Sequence, residues 1–273
     1  MTAISTVITS TCTAHATDSF ITTPAANGGF DVIESQETKI VKVEAFRGAM
    51  SYWGWATTPA DGSRWNTLRW LRQAAAQAGS FGTASAFAES MARDLSTAAS
   101  RFRFDPLRAG GLGIHFTAYE PIDGDWVPEL FLISNWTDAS YSAVRPSGFA
   151  ATRQTFAMLS EASDKSIDHA SPIARIAVLN ALRDGMLYYF NNGDPAVYNP
   201  IANAMYATIS TLKTRKQFRG NTVDSDRALA RQPIEVVTRI LRSFSKAGTR
   251  VVGGKPHDVA VTPDGTYTSS TGG

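Results

Sequence analysis

Short runs of alternating polar and apolar residues occupy the first third of the chain, and apolar residues recur at helical spacing in later blocks. Residues 3–14 are rich in Thr, Val and Ile and hold no Gly or Pro, which predicts a strand. Asp18-Ser19 turns the chain and Phe20-Ile21-Thr22-Thr23 returns it, before a loop from Pro24 to Gly29 with the turn signal Asn27-Gly28-Gly29. Residues 38–44 predict another strand, with Lys39, Val41 and Val43 on one face and Ile40, Lys42 and Glu44 on the other. Ala49 to Ala56 reads as a buried strand containing Gly54. After Asp61-Gly62-Ser63 comes a helix with Trp65, Leu68, Leu71 and Ala75 along one side, then a second helix with Phe87, Met91, Leu95, Ala98 and Phe102. Two further strands, 114–119 and 127–134, flank the turn Asp123-Gly124-Asp125.

The second half is mostly helical in pattern. Ser171-Pro172 opens a helix predicted to run through Ile173, Leu179 and Met186 as far as Tyr189 and Phe190. Asn199-Pro200 starts another, and Pro233 opens the last, with Ile234, Val237, Leu241 and Phe244 on its apolar side. Residues 251–261 read as a strand around Gly253-Gly254, and 266–273 as a flexible tail. This order predicts an α+β fold of sheets flanked by helices, a single domain over 1–265 with a helical insertion around 165–220.

Composition narrows the function. The 273 residues are 43% hydrophobic and 18% charged, enough for a sizeable core. A net charge of +2, from 26 basic and 24 acidic residues, predicts neither a nucleic-acid partner nor a membrane partner. No apolar run reaches the ~18 residues of a membrane span. The single cysteine, Cys12, excludes an intrachain disulfide and a cysteine zinc site, and it fits a reducing, cytoplasmic compartment. Ala14-His15-Ala16 has the A-x-A form of a leader cleavage site. No positive segment precedes it, however, and Ser5, Thr6, Thr9, Ser10, Thr11 and Thr13 interrupt any apolar stretch, so a leader is not expected.

Two residues stand out chemically. Lys39 shares its face with two valines. An inward lysine is costly unless a carboxylate partners it, while at an exposed strand end its amine would reach water. Gly54 inside a strand marks either a bulge or the close approach of another backbone or a ligand.

The N-terminal stretch resembles the β-subunits of the proteasome family, including the bacterial proteasome-like peptidases, which are N-terminal nucleophile (Ntn) hydrolases. There a threonine at the mature N-terminus is followed sixteen residues on by an Asp-Ser pair, as Thr2 is here by Asp18-Ser19. The family's lysine opens a strand of the form Lys39-Ile40-Val41-Lys42-Val43, and a glycine pair like Gly253-Gly254 precedes its final strand. The likeness covers about the first 60 residues, and more loosely 63–135 and 227–265. It implies a four-layer αββα sandwich and a threonine peptidase or amidohydrolase. Thr2, Asp18, Ser19 and Lys39 would form the catalytic set, with the backbone of Gly54 as oxyanion donor and no metal or organic cofactor.

The chemistry fits those residue types. A threonine hydroxyl needs an adjacent base, which an N-terminal α-amine can supply. A nearby lysine ammonium lowers that amine's pKa, and an aspartate holds the lysine in place. All of this requires removal of Met1. The resemblance further implies self-association into a ring or spiral, a peptide or small amide substrate, and an ATPase partner that the sequence does not identify. The helical residues Trp65, Leu68, Trp70 and Phe87 are candidate subunit contacts, with core packing as the alternative. The chain departs from the family at Phe20, where an arginine is usual, and at 249–252, where an aspartate and a serine are usual. These departures favour a second reading, a catalytically inactive scaffold or binding ring; a third is an acylase for small non-peptide amides.

Overall fold

The structure, a computed structural model, describes residues 3–24, 30–34, 38–54, 56–60, 63–102, 111–135, 148–154, 171–194, 196–218, 222–245 and 252–270. In chain order the strands are β1 (Ile4–Ile8), β2 (Thr13–Thr17), β3 (Phe20–Pro24), β4 (Phe30–Glu34), β5 (Ile40–Val43), β6 (Gly48–Gly54), β7 (Thr57–Ala60), β8 (Ser63–Asn66), β9 (Leu112–Ile122), β10 (Asp125–Ser134), β11 (Ala150–Arg153), β12 (Tyr188–Asn192), β13 (His257–Val261) and β14 (Tyr267–Ser269). The helices are α1 (Thr67–Gln77), α2 (Ala84–Phe102), α3 (Pro172–Arg183), α4 (Tyr198–Thr214) and α5 (Val223–Phe244). Two antiparallel five-stranded sheets dominate this α+β fold, ordered β12-β1-β2-β13-β14 and β11-β10-β9-β6-β5. Two small hairpins, β3-β4 and β7-β8, stand beside them.

Strand alternation sorts the side chains. On the first sheet Val7, Ala14, Ala16 and Ala260 face α4 and α5, packing with Tyr206, Ile234 and Val237. On the second, Met50, Ile114, Phe116 and Phe131 face α1 and α2, packing with Leu71, Phe87 and Met91. The remaining faces meet each other. His15 of β2 hydrogen-bonds Ser51 of β6 at 2.9 Å and Thr117 of β9 at 2.8 Å. Helix α3 lies across one edge, with Ala174, Val178 and Leu182 against Ile8, Leu130 and Tyr188. Arg175 on α3 bridges Glu120, at 2.5 Å, and the buried Glu129.

Several expectations are corrected. The helix expected directly after Ser63 begins at Thr67, because 63–66 pair as a strand with 57–60 and Asn66 caps the helix by accepting from the Arg69 N–H at 2.8 Å. The helix from Pro172 stops at Arg183, and Tyr188–Asn192 is a strand paired with β1, so the 165–220 region is not wholly helical. Gly185, with φ +93, makes that break, and the aromatic run Tyr188-Tyr189-Phe190 suits a pleated surface. Pro233 lies inside α5 rather than opening it. The helix starts a full ten residues earlier, where Thr222 and Ser225 form a reciprocal capping box. Proline cannot donate to the carbonyl one turn back, and there the Leu229 carbonyl receives the Tyr206 hydroxyl at 3.5 Å. The expected tail also contains β14, held by pairing with β13 and by the Tyr267 hydroxyl donating to the Gly48 carbonyl at 3.0 Å. Trp65, Leu68 and Phe87 are buried in the core beneath α1 and α2, which removes them as subunit contacts.

Candidate active site

β1 begins where β2 ends, since Ile4 is the partner of Thr17. In the facing sheet, the same pairing logic puts the start of β5 and the end of β6 at one edge, with Ile40 opposite Ser51. Ala3, Asp18, Ser19 and Lys39 meet at this end of the two sheets. Thr2 lies outside the described residues.

Asp18 organises the meeting point. Its N–H donates to the Ala3 carbonyl at 3.1 Å, and the Ala3 N–H donates back to Asp18 Oδ1 at 3.2 Å. Lys39 Nζ donates to the same Oδ1 at 2.9 Å and also to the Phe20 carbonyl. The N–H of Gly253 donates to Oδ2 at 3.2 Å. Asp18 and Lys39 are 0% and 1% exposed, so this is a fully buried ion pair. Burial pushes the Asp18 carboxyl up and the Lys39 amine down. Their mutual attraction opposes both shifts, and at Asp18 the Gly253 and Ala3 N–H groups oppose it too. Lys39 immediately precedes β5 rather than sitting within it, a bend that turns its side chain toward β2.

Ser19 is a clamp in this geometry. Its N–H donates to the Gly253 carbonyl at 3.2 Å, and its hydroxyl accepts from the Lys255 N–H at 2.9 Å. Both contacts tie the glycine pair to the end of β2. The Phe20 ring packs on Gly253, where an added Cβ would meet Phe20 Cε2 at 2.7 Å. From below, the Tyr198 hydroxyl donates to the Ile4 carbonyl at 3.1 Å and steadies the start of β1.

Gly54 ends β6, beyond the point where Ser51 faces Ile40 at the start of β5, and its cross-strand partner is Leu112 of β9. Its φ of +89 favours glycine, and a Cβ there would stand 2.1 Å from the Gly111 carbonyl oxygen. The close approach that a glycine in this strand suggested is therefore to the backbone of Gly111.

The sequence pointed to Asp18, Ser19, Lys39 and Gly54, and all four lie at this one end. It missed the Gly253 N–H as a carboxylate donor and the Phe20 carbonyl as a lysine acceptor, because backbone groups leave no residue-type signal. The paired glycines were the available clue. Among the described residues no group of three or more His, Cys, Asp or Glu could hold a metal ion, and no helix is long and apolar enough to cross a membrane. Cys12 is buried, and burial and Asp226 push its thiol up to about 12, which keeps it in the thiol form. Comparisons with models of known protein families and with curated proteins return no match.

Proposed function

We propose that the protein is a threonine-type amide or peptide hydrolase of the Ntn class, with a four-layer αββα sandwich as its scaffold. The observation that carries this reading is the buried Asp18–Lys39 pair bonded to the N–H of Ala3. That nitrogen is the peptide nitrogen of the bond to residue 2. The pair is thus anchored one peptide unit from the amine and hydroxyl of Thr2.

In this scheme Met1 is removed and the α-amine of Thr2 takes the proton from its own hydroxyl, which attacks the substrate carbonyl. A free α-amine ordinarily titrates at about 7.7–8.0. The positive charge of Lys39 disfavours its protonated form and raises the fraction of free base at neutral pH. Asp18 keeps Lys39 in place. The backbone N–H of Gly54 stabilises the tetrahedral oxyanion. The amine then returns the proton to the leaving nitrogen, and water hydrolyses the acyl-enzyme ester. A peptide or small amide serves as substrate, self-association is the expected partnership, and the cytoplasm is the expected location.

The inactive-scaffold reading draws on Phe20, which covers Gly253 where the family carries an arginine. A panel of fluorogenic peptide and acyl-amide substrates separates the two readings. Hydrolysis that Thr2→Ala reduces by about 1000-fold or more, in line with loss of a nucleophile, supports the enzyme. No turnover of any substrate by protein lacking Met1 supports the scaffold.

A further inference from the structure

Thr17 and His257 are cross-strand partners at the end of β2 and the start of β13. Thr13 and His15, on the same face of β2 as Thr17, reach across to the second sheet. Thr17 and His257 therefore face the space between the sheets, at the end where Asp18 follows Thr17. They are 0% and 7% exposed. Yet, among the described residues, Thr17 Oγ1 and His257 Nδ1 have no hydrogen-bond partner. On the same two inner faces Thr6, Thr13, His15, Ser51, His115 and Thr117 are all bonded to one another. Leaving buried polar atoms bare is costly, and proteins satisfy such atoms with an ordered water.

We propose that Thr17 and His257 form a polar subsite behind the Asp18–Lys39 pair that binds one water between Oγ1 and Nδ1, with His257 a positioning residue for that pair. This rests on the hydrolase reading for its consequence in activity, but not for its geometry. The charged groups acting on the imidazole are Lys255 and Lys39, which favour the neutral ring, and Asp258 and Asp18, which favour the charged one. Burial acts most strongly and, with the lysines, holds the ring below its ordinary value. A neutral imidazole can keep one tautomer and one water, so it fixes the floor of the site without placing a second cation beside Lys39.

Two measurements test this, and they fail separately. The first is ¹⁵N-resolved NMR of the His257 ring against pH. The expected result is titration below the ordinary histidine range, a cross-peak to a long-lived water, and loss of that cross-peak with a changed Nδ1 shift in Thr17→Val. Titration in the ordinary range, or a Thr17→Val spectrum unchanged at His257, overturns the proposal. The second follows the rate of covalent capture by a threonine-directed epoxyketone against pH, in the wild type and in His257→Gln. The variant is expected to react several-fold more slowly at pH 8, with an acid limb governed by one protonation instead of two. Identical profiles overturn the positioning role. A wild type that is never captured counts against the hydrolase reading alone, and the NMR result then decides the subsite.

Discussion

Two of the buried polar regions of this protein are built differently. Between the sheets, a chain of neutral groups runs from Asn192 to His115, Thr6 and His15, and on to Ser51, Thr117 and Thr13. At the sheet ends stands a single ion pair, Asp18 and Lys39, fed by backbone N–H groups. Burial dominates both regions. In the middle it holds His15 down to about 3 and His115 down to about 4, keeping both rings uncharged. At the end, charge persists because two backbone donors and a lysine converge on one carboxylate. A buried ion pair seldom stabilises a fold more than an apolar pair of the same volume. The neutral chain therefore reads as a device for sheet register. The ion pair reads as a device for chemistry, since strongly perturbed groups concentrate at functional sites.

Acid should break the middle first, and with the largest effect. An unfolded histidine takes a proton near its ordinary value of 6.5, whereas His115 and His15 resist until about 4 and about 3. The unfolded state thus binds more protons as pH falls, and stability drops from pH 6.5 downward. At about 1.36 kcal/mol per unit for each ring, the loss is on the order of 6 kcal/mol by pH 4. Urea unfolding at a series of pH values checks this; a flat profile between pH 6.5 and 4 would contradict it.

Breaking the end comes next. Lys39→Met leaves the Asp18 carboxylate buried without its cation and should cost about 3–5 kcal/mol. Adding Asp18→Asn to Lys39→Met removes the stranded charge while keeping an acceptor for the Ala3 N–H. Much of the stability should return, and chemical denaturation of the three proteins would show it. If the double variant is no more stable than the single one, the cost did not come from the stranded charge.

A smaller change sharpens the contrast. Thr6 Oγ1 lies 2.9 Å from His115 Nδ1 and 3.3 Å from His15 Nδ1. Thr6→Val keeps the shape and strips both contacts, so it should cost about 1–3 kcal/mol. It should leave any Thr2-dependent activity within about two-fold, because it touches neither Asp18 nor Lys39; stability and turnover measured on the same preparation read both effects.

Much of this arrangement was legible in the residues. Asp18-Ser19 stood out as a turn after a strand and Lys39 as a lysine in need of a carboxylate, although Val41 and Val43, expected on its face, pack under the helices instead; Asp123-Gly124 marked the β9-β10 turn, with φ +50 and +88. Helical periodicity found α2 and α4 but misjudged boundaries where local chemistry competed. Pro233 looks like a helix start because proline is favoured in the first turn; only Tyr206, distant in sequence, reveals why it is tolerated inside α5. Tyr188-Tyr189-Phe190 continues a helical pattern on paper, and pairing with β1 makes it a strand. The histidine chain and the Thr17–His257 pair were invisible, because each depends on which strands become neighbours. His15 and His115 are a hundred residues apart in sequence, and both bond Thr6.

Intact mass spectrometry of the purified protein, before and after exposure to a threonine-directed epoxyketone, shows whether Thr2 is the nucleophile. The expected result is a chain lacking Met1 that gains one equivalent of inhibitor, with the adduct on Thr2 and absent from Thr2→Ala. A chain that keeps Met1, or one that loses Met1 and still gains nothing, would contradict it.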